Sequence, residues 1–188
     1  MWRNPGSGHV KVLAINGSLR AGSFNRALLR AAQRVAPAGM DVHIVDLHGI
    51  PLYNRDEERE SGFPHSVVEL RQAVQAADAL LVATPEYNYS IPGVLKNAWD
   101  WMSRPPDAPI NDMPLAIVGA GGRSGTIRAQ LHLHDIAIHN RLRIIPTPQV
   151  AVQVSGDAFD ETPELVDERA VDQISRLLVA LQIEAQRS

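Results

Sequence analysis

VKVLAINGSLRAGSFNRALLR, residues 10–30, joins three unlike pieces without a gap. The opening VKVLAI is a nearly continuous apolar run, the composition of a strand covered on both faces rather than one with a wet side. From Phe24 onward the apolar residues Ala27, Leu28, Ala31 and Val35 recur on one helical face. A buried strand that turns directly into a helix is the start of a βα unit, and a strand covered on both faces needs further units of the same kind around it. The turn between them, NGSLRAGSFN, is built to hold an anion. Ser18, Ser23 and Asn25 offer hydrogen bonds, Arg20 adds a charge, and the amides at 23–25 sit at a helix N-terminus, whose dipole favours negative charge.

The rest of the chain repeats the unit. Strand patterns at 41–47, 78–84 and 114–120 alternate with helical patterns at 64–77, 92–104 and 124–140. Residues 142–153 hold a fifth strand interrupted by prolines, and 163–185 form a long closing helix. Five such units predict an α/β, flavodoxin-like, doubly wound five-stranded parallel sheet of order 2-1-3-4-5 with helices on both faces. In such sheets ligands bind outside the carboxyl ends of the strands, where the strand order reverses. Three loops fall there: NGSLRAGSFN, TPEYNYSIPG and GAGGRSGT, each rich in Gly, Ser, Asn or Tyr.

Composition narrows the function. The chain has 188 residues, 45% hydrophobic and 21% charged, with a formal charge of -3. That suits one domain over residues 9–188, preceded by a flexible leader, 1–8, that lacks the apolar core of a signal peptide. The charge carries no footprint of a nucleic-acid binder, and no run is long or apolar enough to span a membrane. With no cysteine, thiolate chemistry and Cys-ligated metal are excluded and a cytoplasmic setting is the default.

The first loop is not a triphosphate site: GSLRAG has P-loop glycine spacing, but Ser23 and Phe24 follow where Lys and Ser/Thr belong. Nor is it a dinucleotide fingerprint, because Gly17 is followed by Ser-Leu; Asp46 reads as a strand-end residue. A single phosphate monoester suits the cup, against the plainer reading that Ser23 caps a helix and Gly17 and Gly22 shape a turn. In the second loop, PEYNYSIPGVLKNAWDW (85–101), Pro85 and Pro92 fix both ends of a short connection. Tyr87 and Tyr89 supply aromatic walls, and main-chain groups between the prolines can meet the rim of a planar heterocycle.

Together, GSLRAGSFNRAL and PEYNYSIPGVLKNAWDW resemble the NAD(P)H-dependent FMN reductase family, flavodoxin-like proteins that include quinone, azo-dye and chromate reductases. The resemblance covers residues 10–180, roughly. It implies that Ser18, Arg20, Ser23 and Asn25 hold the FMN phosphate. It implies that Pro85, Glu86, Tyr87, Asn88 and Ser90 line the flavin ring, mostly through main chain, with Gly121 and Gly122 near its pyrimidine side. Tyr89 occupies a position variable in the family and is expected to tune access. The implied activity passes hydride from NADH or NADPH through FMN to a quinone-like or other small acceptor in a ping-pong cycle, with the chemistry carried by the cofactor and no catalytic side chain. Two other readings stay open: a flavodoxin-like FMN electron carrier without direct NAD(P)H turnover, and a non-flavin phosphate-ligand binder.

Other residues invite less. His132, His134 and His139 are spaced two and five apart, which gives no metal face on a helix, so no metal site is expected. His9 and His43 lie in strand patterns with no carboxylate partner in view. RDEERE (55–60) reads as a solvated loop or, alternatively, a lid, with Tyr53 ahead of it. Trp99 and Trp101 cannot share one helix face; one is expected at an interface. Family relatives are typically dimers or tetramers, so a homodimer or homotetramer using this helix follows.

Overall fold

A computed structural model of the chain describes residues 9–154 and 156–187; the expected leader, 1–8, lies outside them. The first strand, β1 (Val10–Asn16), pairs in parallel on one side with β2 (Met40–Asp46) and on the other with β3 (Ala79–Ala83). β3 pairs with β4 (Pro114–Gly121), and β4 carries β5 (Arg143–Ile144) and β6 (Val150–Gln153) along its outer edge. The order is therefore 2-1-3-4-5 with β6 added beside β4. The expected fifth strand is two strands because Pro146 and Pro148 lack the N–H groups a ladder needs.

The helices between strands are α1 (Phe24–Arg34), α2 (Arg55–Ser61), α3 (His65–Ala76), α4 (Gly93–Met102) and α5 (Ile127–His139), with α6 (Glu168–Gln186) closing the chain. Successive strand residues point to opposite faces, and the two cores follow that alternation. Val12, Ala14, Leu81, Ala83, Ala116, Val118 and Ala120 meet Leu28, Leu29, Ile174, Leu177 and Leu178 of α1 and α6. Leu13, Ile15, Leu80, Val82, Leu115 and Ile117 meet α3, α4 and α5 through Leu70, Val74, Leu95, Trp99 and Leu133. Burial of each large side chain contributes about 1.5–3 kcal/mol.

Three expectations change. RDEERE lies in α2, not in a loop: the Asn54 side chain accepts from Asp56 N–H, and Asp56, Glu57 and Glu58 fill the first turn, where the helix dipole favours carboxylates. It is tied down, since Glu58 accepts from Tyr53 O–H at 2.9 Å and Arg104 Nε at 3.0 Å. Both tryptophans are buried inside the one chain. Trp99 joins the sheet-side core and donates to Asn140 Oδ1, whereas Trp101 donates to Pro51 O and meets the rings of Tyr53 and Phe63 edge-on. The second surface that Trp101 needs is the chain's own 51–63 segment, so the tryptophans give no reason to place an interface on α4. His9, read as unpaired, lies 2.6 Å from Asp41 on the neighbouring strand.

Candidate cofactor site at the carboxyl ends of the strands

The loop after β1 is held in shape from below. Asn16, the last residue of the strand, donates to Ser18 O and to Asp46 Oδ1, while its Oδ1 accepts from Ser18 N–H. Gly17 sits so close to β3 that a Cβ there would lie 2.9 Å from Ala83 O. Ser18 and Ser23 are buried, and Ser23 Oγ caps α1 by accepting from Arg26 N–H. The first-turn N–H groups of Phe24 and Asn25 have no carbonyl one turn back to bond to. Arg20 is exposed and has no carboxylate partner among the described residues. The Asn25 side chain clasps β4, donating to Ala120 O and accepting from Ala120 N–H. What it offers an anion is its main-chain N–H.

Asp46 is more than a strand end. Burial pushes its pKa up, but hydrogen bonds from Asn16 and Arg26 and the charges of Arg26 and His48 outweigh that and hold it below the ordinary carboxylate range. It fixes both the strand end that shapes the loop and the start of α1.

The loop after β3 is stiffer than two prolines require. Tyr87 and Ser90 exchange both main-chain hydrogen bonds, at 2.9 and 3.0 Å, around Asn88 and Tyr89, which both have positive φ. This is the geometry of a tight hairpin turn. The main-chain groups of Tyr87 and Ser90 are thus consumed inside the loop. Glu86 reaches sideways: one carboxylate oxygen accepts from Arg128 N–H at 3.0 Å and Ala129 N–H at 3.2 Å, capping α5, whose own Thr126 makes no side-chain cap. The Arg128 guanidinium lies 4.1 Å over the Tyr89 ring. His132 Nδ1 lies 3.0 Å from Ser90 Oγ.

In the third loop, Gly121 and Gly125 are explained by packing: a Cβ on Gly121 would lie 2.3 Å from Gly125 O, and one on Gly125 2.8 Å from Ala151 C. A Cβ on Gly122 would meet nothing within 4 Å.

The first two loops enclose an open cleft of about 330 Å³ lined by Gly17, Leu19, Arg20, Tyr87, Pro92, Gly93 and Val94, a size usual for small-molecule sites. Of the residues singled out in the sequence, Arg20 and Tyr87 line it; Ser18, Ser23 and Asn25 are buried in the turn beside Arg20. Pro85, Glu86, Asn88 and Ser90 shape the loop next to Tyr87, and Gly121 and Gly122 stand apart at the end of β4. Sequence reading took Pro92 only as the end of the loop and missed Leu19, Gly93 and Val94. For the α4 residues the signal was a Pro-Gly pair opening an apolar helix: α4 starts there without a side-chain cap, and Gly93 and Val94, whose N–H groups have no carbonyl one turn back, line the cleft.

The sequence pattern of NADPH-dependent FMN reductases matches residues 10–157. The chain belongs to that family. It is an oxidoreductase working with FMN and a reduced nicotinamide. Among its relatives in the family, an NAD(P)H-dependent FMN reductase of Pseudomonas aeruginosa is 47% identical over 182 residues, 96% of this chain and 98% of the relative. A quinone reductase of Escherichia coli is 38% identical over 174 residues, covering 91% and 93%. Among solved structures, the flavoenzyme NAD(P)H:(acceptor) oxidoreductase FerB of Paracoccus denitrificans superposes with a TM-score of 0.84 at 29% identity, covering 95% of this chain and 98% of that one. The donor set present here fits FMN: buried hydroxyls, helix amides and an arginine without a carboxylate partner among the described residues suit a phosphate monoester, and the adjoining apolar walls suit a flat ring.

Proposed function

We propose that this FMN reductase transfers two electrons from NADH or NADPH to a quinone-like or other small acceptor by a ping-pong cycle, acting in the cytoplasm as a homodimer or homotetramer. Over the cycle NAD(P)H and a proton are consumed, NAD(P)+ leaves, and a quinone becomes its hydroquinone. The observation that supports this reading is a cleft with Arg20 at one edge and apolar walls from Leu19, Tyr87, Pro92 and Val94, beside the turn that holds Ser18, Ser23 and the start of α1.

Ser18, Arg20, Ser23 and the first-turn amides of Phe24 and Asn25 would hold the phosphate. Pro85, Glu86, Tyr87, Asn88 and Ser90 would line the ring, with Gly122 and Gly121 near its far edge. When bound, FMN supplies the redox chemistry that no side chain of this protein supplies. The protein's part is to bind, orient and exclude water. Leu19, Tyr87, Pro92 and Val94 make the cleft apolar, and the uncapped amides at the start of α4 favour negative charge close by. Because the cleft is open, nicotinamide and acceptor can use it in turn. Tyr87 is 49% exposed and Tyr89 65%, and these exposed rings, which a second copy of the chain would cover, are what supports the oligomer.

Steady-state rates of FMN-loaded protein, measured over several NADPH and quinone concentrations, test the cycle. Parallel double-reciprocal lines are expected. Intersecting lines would overturn the ping-pong order, and no turnover at all would favour an electron carrier.

A further inference from the structure

After β6 the chain returns across the outside of α1 before entering α6, and this crossing segment, residues 157–166, is itself an ordered piece of structure. Ala158 O accepts from Val166 and Asp167 N–H. The Asp160 carboxylate accepts from Thr162 N–H, Thr162 Oγ and Glu164 N–H at 2.8–2.9 Å. Leu165 is buried in the core shared by α1 and α6. The family pattern ends at residue 157, so most of this segment lies beyond the match.

Its outer part is fastened along α1. Glu164 bridges Arg30 Nε at 2.5 Å and Arg34 Nη1 at 3.0 Å, and Arg30 Nη2 donates to Pro163 O at 2.9 Å. Arg30 and Arg34 stand one helical turn apart, so a single carboxylate holds both. Its inner part reaches the anion cup. Pro163 Cγ would lie 3.9 Å from a Cβ on Gly22, and the Phe159 ring meets the Phe24 ring with centroids 4.7 Å apart at 49°. Phe24 sits between Ser23 and Asn25, and the guanidinium of Arg20 lies over its ring face 5.9 Å from the centroid, at the outer edge of cation–π range.

We propose that residues 157–166 form the outer wall of the anion cup, and that Phe159 is a positioning residue that holds Arg20 ready for the FMN phosphate through Phe24. The proposal rests on the FMN reading above. Arg20 is long, exposed and free of any carboxylate among the described residues, so in a bare loop it would be ordered only at the moment of binding, at the expense of affinity. Resting on an aromatic ring restricts the guanidinium beforehand without neutralising it. A carboxylate partner would order it equally well and spoil it for a phosphate. The Phe24 ring can serve only if it is itself fixed. Phe24 is partly buried at the first position of α1, and the Phe159 ring is the aromatic surface that backs it.

The test compares FMN with riboflavin, which has the same ring system and no phosphate. Dissociation constants of both are measured by flavin fluorescence for wild type, Phe159→Ala, Phe159→Tyr, Arg20→Ala and the Phe159→Ala/Arg20→Ala pair. Phe159→Ala should weaken FMN roughly three- to tenfold and leave riboflavin unchanged, and Phe159→Tyr should restore FMN binding. In the Arg20→Ala background, removal of Phe159 should cost nothing further. Equal losses for both flavins would show that Phe159 merely supports the fold and would overturn the proposal, as would fully additive losses in the double variant. If Phe159→Ala proves too unstable to assay, Phe159→Leu, which keeps the apolar volume and removes the ring, must show the same selective loss. Wild-type protein that binds neither flavin would instead overturn the FMN reading itself.

Discussion

Gly121 and Gly122 are neighbours that meet different surroundings. A methyl group on Gly121 runs into the carbonyl of Gly125 at 2.3 Å, a main-chain atom that cannot swing away, whereas one on Gly122 enters open space. Gly121→Ala should therefore cost about 1–3 kcal/mol through overpacking, and Gly122→Ala should stay within about 0.5 kcal/mol of wild type. Urea denaturation of FMN-free protein checks this; equal costs would mean that packing does not explain the pair. The resemblance places both glycines near the ring; the packing that separates them was not legible, since a glycine does not disclose what stands opposite its missing side chain. Asn25 had the same ambiguity. An amide at the second position of a helix after an anion-binding turn reads as a ligand, yet its side chain clasps Ala120 across 95 residues of sequence. The Ser23 cap was easier to read, because a hydroxyl just before a helix start commonly accepts from the first-turn amides.

Helices and strands with a clear period were legible, and the elements that were not share a cause: their partners come from distant sequence. α2 has no buried residue of its own and shows no apolar stripe. Its helicity rests on a cap and on acidic residues at the positive end, with Glu58 bound to Tyr53 and Arg104. The tryptophans of α4 suggested two surfaces correctly, but the second is the chain's own segment before α3. Glu86 shows the same coupling between elements. It lies in the loop after β3 and caps α5, which begins 41 residues later and makes no side-chain cap at Thr126. Glu86→Ala should cost about 1.5–3 kcal/mol, the range for hydrogen bonds to a charged group, and Glu86→Gln less, since one amide oxygen can still accept. Hydrogen exchange localises the effect: amides of the first turn of α5 should lose protection before those of the sheet. Uniform loss across the sheet would mean that Glu86 acts on the fold at large.

At the scale of the whole molecule, sheet order and the position of the cleft were legible because a parallel chain of βα units leaves few topologies and ligands collect where the order reverses. The acid response was not legible, since it depends on which titratable groups the fold surrounds. Four groups that titrate between neutrality and strong acid are shifted in the same sense. Asp46 lies below the ordinary 3.8 for the reasons given above; the hydrogen bond from Arg141 lowers Asp112 against a smaller effect of burial; and main-chain N–H from Glu164 and the Thr162 hydroxyl lower Asp160. Burial lowers His134 below 6.5, against the opposing charge of Asp135. In each case the unfolded chain binds the proton more readily than the folded one, so stability rises with pH across the gap between the two values. The His134 contribution is fully present above 6.5 and shrinks as the pH falls below it, while the carboxylate contributions persist to 3.8 and are lost as the pH falls through their lowered values. Acidification should therefore weaken the protein in two steps, a shallow one near neutrality and a deeper one in strong acid. Urea midpoints of wild type and His134→Gln, taken from about pH 7.5 down to about pH 1.5, should show the upper step in wild type only. An upper step that survives the substitution would remove His134 as its source, and a profile flat to strong acid would contradict the carboxylate shifts as well.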